Sequence, residues 1–159
     1  MNATLPWARS GHCTVSLGPA GVFLAGGRGS LGDMGSRTAV IFHPGSSNFT
    51  NIQDMPTVKK FASCAFLNNK VYVGGVRSAD ISVFDIANKI WQPSPTFNHK
   101  RQSLLSMFTI QKQIYFIFQN TVKQIFVLKD DVWTVVTEAS IRNKNLHPIV
   151  LYKGILMCH

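Results

Sequence analysis

Between Ala62 and Trp91 the apolar residues come in short runs separated by turn residues. Ala62 to Leu67 is a mostly apolar run of strand length. Asn68-Asn69 follows as a two-residue hairpin signal, because Asn tolerates positive φ. Val71 to Val73 resumes the run, and Gly74-Gly75 ends it where a tight turn needs a residue without Cβ. Ile81 to Phe84 alternates apolar and polar positions with period two, as a half-buried strand does. Ile90-Trp91 begins a fourth run. The pattern predicts four strands in a meander.

The same pattern recurs on both sides. Upstream, Leu5-Pro6 followed by Arg9 repeats Met55-Pro56 followed by Lys59 at the same offset. His12 to Leu17, the turn Gly18-Pro19-Ala20-Gly21, Val22 to Ala25 and Thr38 to Phe42 read as three strands of a first unit, with Gly26-Gly27 after the second and Phe49 in the place of the late Trp. Downstream, strands are expected over Ser103 to Ile110, Ile114 to Phe118, Lys123 to Leu128 and Val132 to Val136, with turns at Gln111 to Gln113 and Asp130-Asp131. That unit has lost its Gly pair and is degenerate. Leu146 to Tyr152 and Ile155 to Cys158 open a fourth unit as a hairpin. Phe49, Trp91 and Trp133 stand at a constant step of 42, the best argument that these are repeats. The units are residues 5–54, 55–96, 97–139 and, incomplete, 140–159, within a single domain 1–159.

A meander of about 45 residues with a Gly pair and a late Trp is the unit of a β-propeller blade. Met55-Pro56, Lys59 where Arg is usual, Tyr72, Gly74-Gly75, Asp85 and Trp91 together resemble a kelch repeat. One departure is that only Val73 stands between Tyr72 and the Gly pair, where two apolar residues are usual. The resemblance implies an all-β fold, a partial β-propeller of four-stranded antiparallel kelch blades, about three blades and a half. Gly26, Gly27, Gly74, Gly75, Tyr72, Tyr115, Phe49, Trp91 and Trp133 would then be structural positions of the repeat. A blade buries its faces only against neighbouring blades, so the chain is expected to be a piece of a longer product or to be completed by another chain. The resemblance also implies a non-enzymatic protein-interaction module. The commonest role in the family is substrate recruitment to a cullin-based ubiquitin ligase, which needs a BTB or F-box region that these residues do not supply. The alternative is an actin-binding, cytoskeletal protein. A galactose-oxidase-like copper enzyme is a remote third, because Tyr72 and Tyr115 fall at the repeat's own structural position and Tyr152 is the one other tyrosine.

Charge changes the picture next. Sixteen Lys and Arg against seven Asp and Glu give +9. The basic residues are dispersed, with Lys59-Lys60 and Lys100-Arg101 as the adjacent pairs, which argues against nucleic acid. They are nevertheless placed regularly. Arg9, Lys59 or Lys60, Lys100-Arg101 and Arg142 each precede the first strand of a unit, at steps of 50, 42 and 41. Equivalent positions of successive blades share radius and height, so this recurrence predicts an arc of charge at one mouth. In kelch-like adaptors such loops help to bind acidic peptides, and the resemblance implies the same use here. Arg grips a carboxylate with two parallel hydrogen bonds. Trp7 lies outside the aromatic register and is a further candidate for partner contact, as is the Arg28 to Ser36 loop.

Other chemistry is poorly represented. No Gly-x-Ser-x-Gly elbow and no His-x-x-x-His or Cys-x-x-Cys spacing occurs, so catalytic, metal and cofactor sites are not expected. Gly26-Gly27-Arg28-Gly29 lacks the Lys-Ser/Thr of a phosphate loop. No run of 18 apolar residues could cross a membrane, and the N-terminus lacks the basic start and apolar stretch of a secretory signal. Asn2-Ala3-Thr4 and Asn48-Phe49-Thr50 then read as chance sequons. Cys13 and Cys64, in equivalent strands, are expected to be buried free thiols in a reducing compartment, the cytoplasm or the nucleus.

Overall fold

A computed structural model describes residues 5, 7–29, 35–76, 80–94, 103–119, 123–139, 149–152 and 155–158. They form three four-stranded antiparallel sheets and one two-stranded sheet, with a single short 3-10 turn at Gly18–Ala20. The first sheet contains β1 (Cys13–Ser16), β2 (Val22–Ala25), β3 (Ala39–His43) and β4 (Asn48–Asn51). The second contains β5 (Ser63–Leu67), β6 (Lys70–Gly74), β7 (Ser82–Asp85) and β8 (Ile90–Gln92). The third contains β9 (Ser103–Ile110), β10 (Gln113–Gln119), β11 (Lys123–Lys129) and β12 (Val132–Ala139). In each, neighbours in sequence are neighbours in space. The two-stranded sheet pairs β13 (Ile149–Tyr152) with β14 (Ile155–Cys158). The strands expected from the pattern are all present, with ends moved by up to three residues where they are described; Leu146 to Pro148, expected in the first strand of the fourth unit, lie outside the described residues.

Turn chemistry sets the registers. Asn68-Asn69, Gln111-Lys112 and Asp130-Asp131 each place both central residues at positive φ. That is the backbone whose twist matches the flanking strands in a two-residue hairpin. Asp85 closes the β7–β8 turn differently. Its carboxylate accepts the Asn88 N–H at 3.0 Å, the Asn88 side-chain amide at 3.0 Å and the Gln92 amide at 3.1 Å. The backbone bond from Asn88, then its side-chain bond, hold the Asp85 pKa below the ordinary carboxylate value.

The inner strands of the second sheet are buried on both faces, so β7, expected to be half-buried, is buried throughout, with Ser82 at 2% exposure. Val71, Val73 and Phe84 pack toward the first sheet with Phe23, Ala25 and Met55. Ala65, Tyr72 and Val83 pack toward the third with Met107, Ile114, Phe116 and Phe126. Each fully buried Phe contributes on the order of 2–3 kcal/mol of transfer free energy.

The constant step of 42 has a structural counterpart. Phe42 faces Phe49, Phe84 faces Trp91 and Leu128 faces Trp133, each on the second rung from a β3–β4-type turn. Trp91 then reaches back to the preceding sheet, edge-on to Phe23 at 6.4 Å, and its indole donates to the Gln53 carbonyl at 2.7 Å. Trp133 makes the corresponding contact with Tyr72 at 6.3 Å. Phe49 packs against Phe42 of its own sheet, ring centres 4.8 Å apart.

The first strands stand next to one another. The Met107 N–H donates to Ser63 Oγ at 2.8 Å, and Thr109 Oγ1 donates to the Phe66 carbonyl at 3.0 Å, joining β9 to β5. Between β1 and β5 the link is covalent, a disulfide of Cys13 and Cys64 with Cα atoms 5.7 Å apart. This corrects the expectation of two free thiols. Both cysteines are buried, as expected. The equivalence of their strands, however, brings them face to face, within the Cα range that a disulfide needs.

Candidate binding face

Antiparallel order puts the loops that lead into the first strands at one end of the sheets, together with the loops between second and third strands. Backbone pairs tie these loops together. Ser10 and Arg28 exchange two hydrogen bonds, at 3.0 and 2.9 Å. The Lys59 N–H donates to the Ser36 carbonyl at 3.0 Å, and the Gly27 N–H donates to the Lys59 carbonyl at 2.9 Å. The Val76 N–H donates to the Lys60 carbonyl at 2.8 Å, the counterpart of the Arg28–Ser10 bond.

Two glycines make that approach feasible. A Cβ on Gly27, whose φ is +87°, would stand 2.7 Å from the Ser10 carbonyl oxygen. One on Gly75 would stand 3.0 Å from the Lys60 carbonyl oxygen. The Gly pairs therefore serve close packing of loop on loop, besides ending a strand. Gly26 and Gly74 precede them, Gly26 at φ +68° and Gly74 as the last residue of β6.

The basic residues of this end have different fates. Lys59 is fully buried. Its ammonium donates to the Asp80 carbonyl and to Asp80 Oδ2, each at 2.8 Å, and Thr57 Oγ1 donates to the same Oδ2 at 2.6 Å. Burial lowers the Lys59 pKa, against the opposing pull of Asp80. Expected as a partner contact, Lys59 is instead an internal cation that fastens one loop of the second sheet to another.

Arg9 is half-buried. Its guanidinium donates to Thr38 Oγ1 at 3.1 Å and, at 3.5 Å, to the Gly26 carbonyl, and it lies 5.5 Å from the Trp7 ring centre. Burial lowers its pKa, although a guanidinium stays charged. Trp7 is 44% exposed, and with Arg9, Gly35, Ser36 and Thr38 it lines a groove of about 250 Å³. His12 nearby is pushed down by burial and then by the Arg9 charge, so it is neutral around pH 7 and adds no cation.

Lys60 is half-buried, with its ammonium 5.7 Å from the Phe61 ring centre. Arg28 is exposed, and its guanidinium lies 5.3 Å from the same ring. Arg28 Nε also donates to Ser10 Oγ at 3.3 Å. Phe61 itself is 47% exposed and sits at φ +46°, with its ring against Gly11. Phe61 was not among the expected contact residues. The signal available was a large aromatic directly after two lysines in a loop that should be polar. Arg28 was read as the start of a loop, and its pairing with Ser10 is what brings it to Lys60. Lys100, Arg101 and Arg142 lie outside the described residues.

The end thus gathers Arg9, Arg28 and Lys60 around two half-exposed aromatic rings. Cations over aromatic faces hold an ordered cationic surface at modest cost. Tyr72 packs on Trp133, the Tyr115 hydroxyl donates to Gln113 at 2.9 Å, and Cys13 is bonded to Cys64. Among the described residues no three of His, Cys, Asp and Glu converge as metal ligands, and no helix is long and apolar enough to cross a membrane. Comparisons with protein-family models and with curated proteins find no match to the chain.

Proposed function

We propose that the chain is part of a kelch-type β-propeller, and that it is a non-enzymatic module binding an acidic segment of a partner protein at its strand-opening end. The observation that carries this reading is the convergence of Arg9, Arg28 and Lys60 on the exposed rings of Trp7 and Phe61. The side-by-side meanders with their repeated aromatic rung support the propeller. A net charge of +9 favours an acidic partner over a basic one. Substrate recruitment for a cullin-based ubiquitin ligase is the setting in which kelch-like proteins use such a surface, and we carry it as the biological context of the proposal.

Binding of a fluorescent peptide rich in Asp and Glu, followed by anisotropy, tests it. Arg28→Ala and Lys60→Ala should each weaken binding by about 1–3 kcal/mol, the worth of a charge-assisted hydrogen-bond set. Neither side chain is part of a core cluster, so both variants should fold. Affinity should also fall as salt rises from about 50 to about 300 mM, where the screening length shrinks from about 14 to about 6 Å. Unchanged affinity in both variants, or indifference to salt, would overturn the proposal.

A further inference from the structure

The opposite end of the sheets holds a second feature, independent of the basic face. A cleft of about 370 Å³ opens between the second and third sheets, lined by Lys70, Tyr72, Val83, Gln92, Pro93 and Asp131. Lys70 follows the Asn68-Asn69 turn and Asp131 belongs to the Asp130-Asp131 turn, so two hairpins of neighbouring sheets form its lips. The size is at the lower end of that of small-molecule pockets.

Tyr72 is the informative residue. It is 6% exposed, with its ring fixed edge-on to Trp133. Buried tyrosine hydroxyls normally find a hydrogen-bond partner. Among the described residues the Tyr72 hydroxyl has none, and it is not sealed off either, because Tyr72 lines the cleft. Lys70 and Asp131 likewise make no ion pair or side-chain hydrogen bond among the described residues. Lys70 stands opposite Asp85 on the β6–β7 ladder, but the Asp85 carboxylate is already occupied by Asn88 and Gln92. One ammonium, one carboxylate and one hydroxyl therefore border a single cleft, none of them held by another side chain among the described residues.

We propose that this cleft binds a small zwitterion of the α-amino-acid class, its carboxylate on Lys70 and the Tyr72 hydroxyl and its ammonium on Asp131. A ligand of one charge would satisfy one lip and bring a like charge toward the other, whereas a zwitterion matches both. Val83, Pro93 and the tyrosine ring offer an apolar wall to its side chain. Burial, then the Asp131 charge, raise the Tyr72 pKa, so the hydroxyl keeps its proton and can donate to a carboxylate.

The test is a titration of the whole chain with leucine, followed by amide chemical shifts, alongside 3-methylbutylamine and 4-methylpentanoate. Leucine should move the resonances of Tyr72, Val83 and Asp131, and each singly charged analogue should bind at least about tenfold more weakly, the ratio for one lost charged hydrogen bond. Tyr72→Phe, which keeps the ring on Trp133, and Asp131→Asn, on an exposed turn, should each cost about tenfold in leucine affinity. Unmoved spectra with leucine, equal binding of either analogue, or full affinity in both variants would overturn the proposal. Neither variant touches the basic face, so acidic-peptide binding should persist in both.

Discussion

Removing the Cys13–Cys64 bond is expected to lower stability by about 4 kcal/mol. The bond closes a loop spanning 51 residues and joins two sheets whose other covalent connection is the chain itself. An unfolded chain without it gains the entropy of that loop, while the folded chain loses few contacts, because an alanine at either site keeps its methylene packed. Cys13→Ala, Cys64→Ala and the double variant should therefore lose similar amounts, each lowering the melting temperature by about 10 °C. Reductant should destabilise the parent protein by the same amount and leave the double variant unmoved. Urea midpoints with and without reductant decide the matter. A parent midpoint that ignores reductant would mean that the two thiols are not joined in solution.

That linkage marks where sequence reasoning stops. The strands were legible because their signals are local. Asn68-Asn69 adopts the positive φ pair that its composition announces, and the apolar run Val71 to Val73 lies in β6. The spacing of Phe49, Trp91 and Trp133 was legible too, since a repeat carries one geometry to each copy, here the second rung from a turn. Cys13 and Cys64 were correctly placed in equivalent strands. That equivalent first strands stand closest to one another, and so bring two sulfurs together, depends on how sheets pack, which no local pattern encodes.

The basic face divides in the same way. The regular placement of Arg9, Lys59 and Lys60 was visible, and their loops do gather at one end. Which of two adjacent lysines points inward was not visible, because side-chain direction in a loop turns on one residue of backbone path. Lys59 is wholly buried and reaches Asp80, whereas Lys60 is half-buried with its ammonium beside the Phe61 ring. Arg28 and Phe61 joined the face through the Ser10–Arg28 backbone pair and the Phe61–Gly11 contact, both between residues far apart in sequence or in neighbouring sheets.

Asp80→Asn should be far more damaging than Lys59→Met, although both break the same ion pair. Lys59 is wholly buried, whereas the Asp80 side chain is 47% exposed. Replacing Asp80 takes this carboxylate away from an ammonium that is wholly buried, a loss of about 3 kcal/mol. Replacing Lys59 with Met leaves a carboxylate that water can reach and puts a similar apolar volume in the interior, which should cost about 1 kcal/mol or less. The Lys59 backbone bonds to Ser36 and Gly27 survive in both variants. Adding Lys59→Met to Asp80→Asn should then restore most of the lost stability, a non-additivity that unfolding curves of the four proteins will read. The pH dependence supplies a second check. Burial holds the folded pKa of Lys59 below its ordinary value of 10.5, so between the two values the unfolded chain binds the extra proton. Stability of the parent relative to Lys59→Met should be flat below the folded value and rise as pH climbs toward 10.5. A difference that falls with pH would show that Asp80, not desolvation, dominates this lysine.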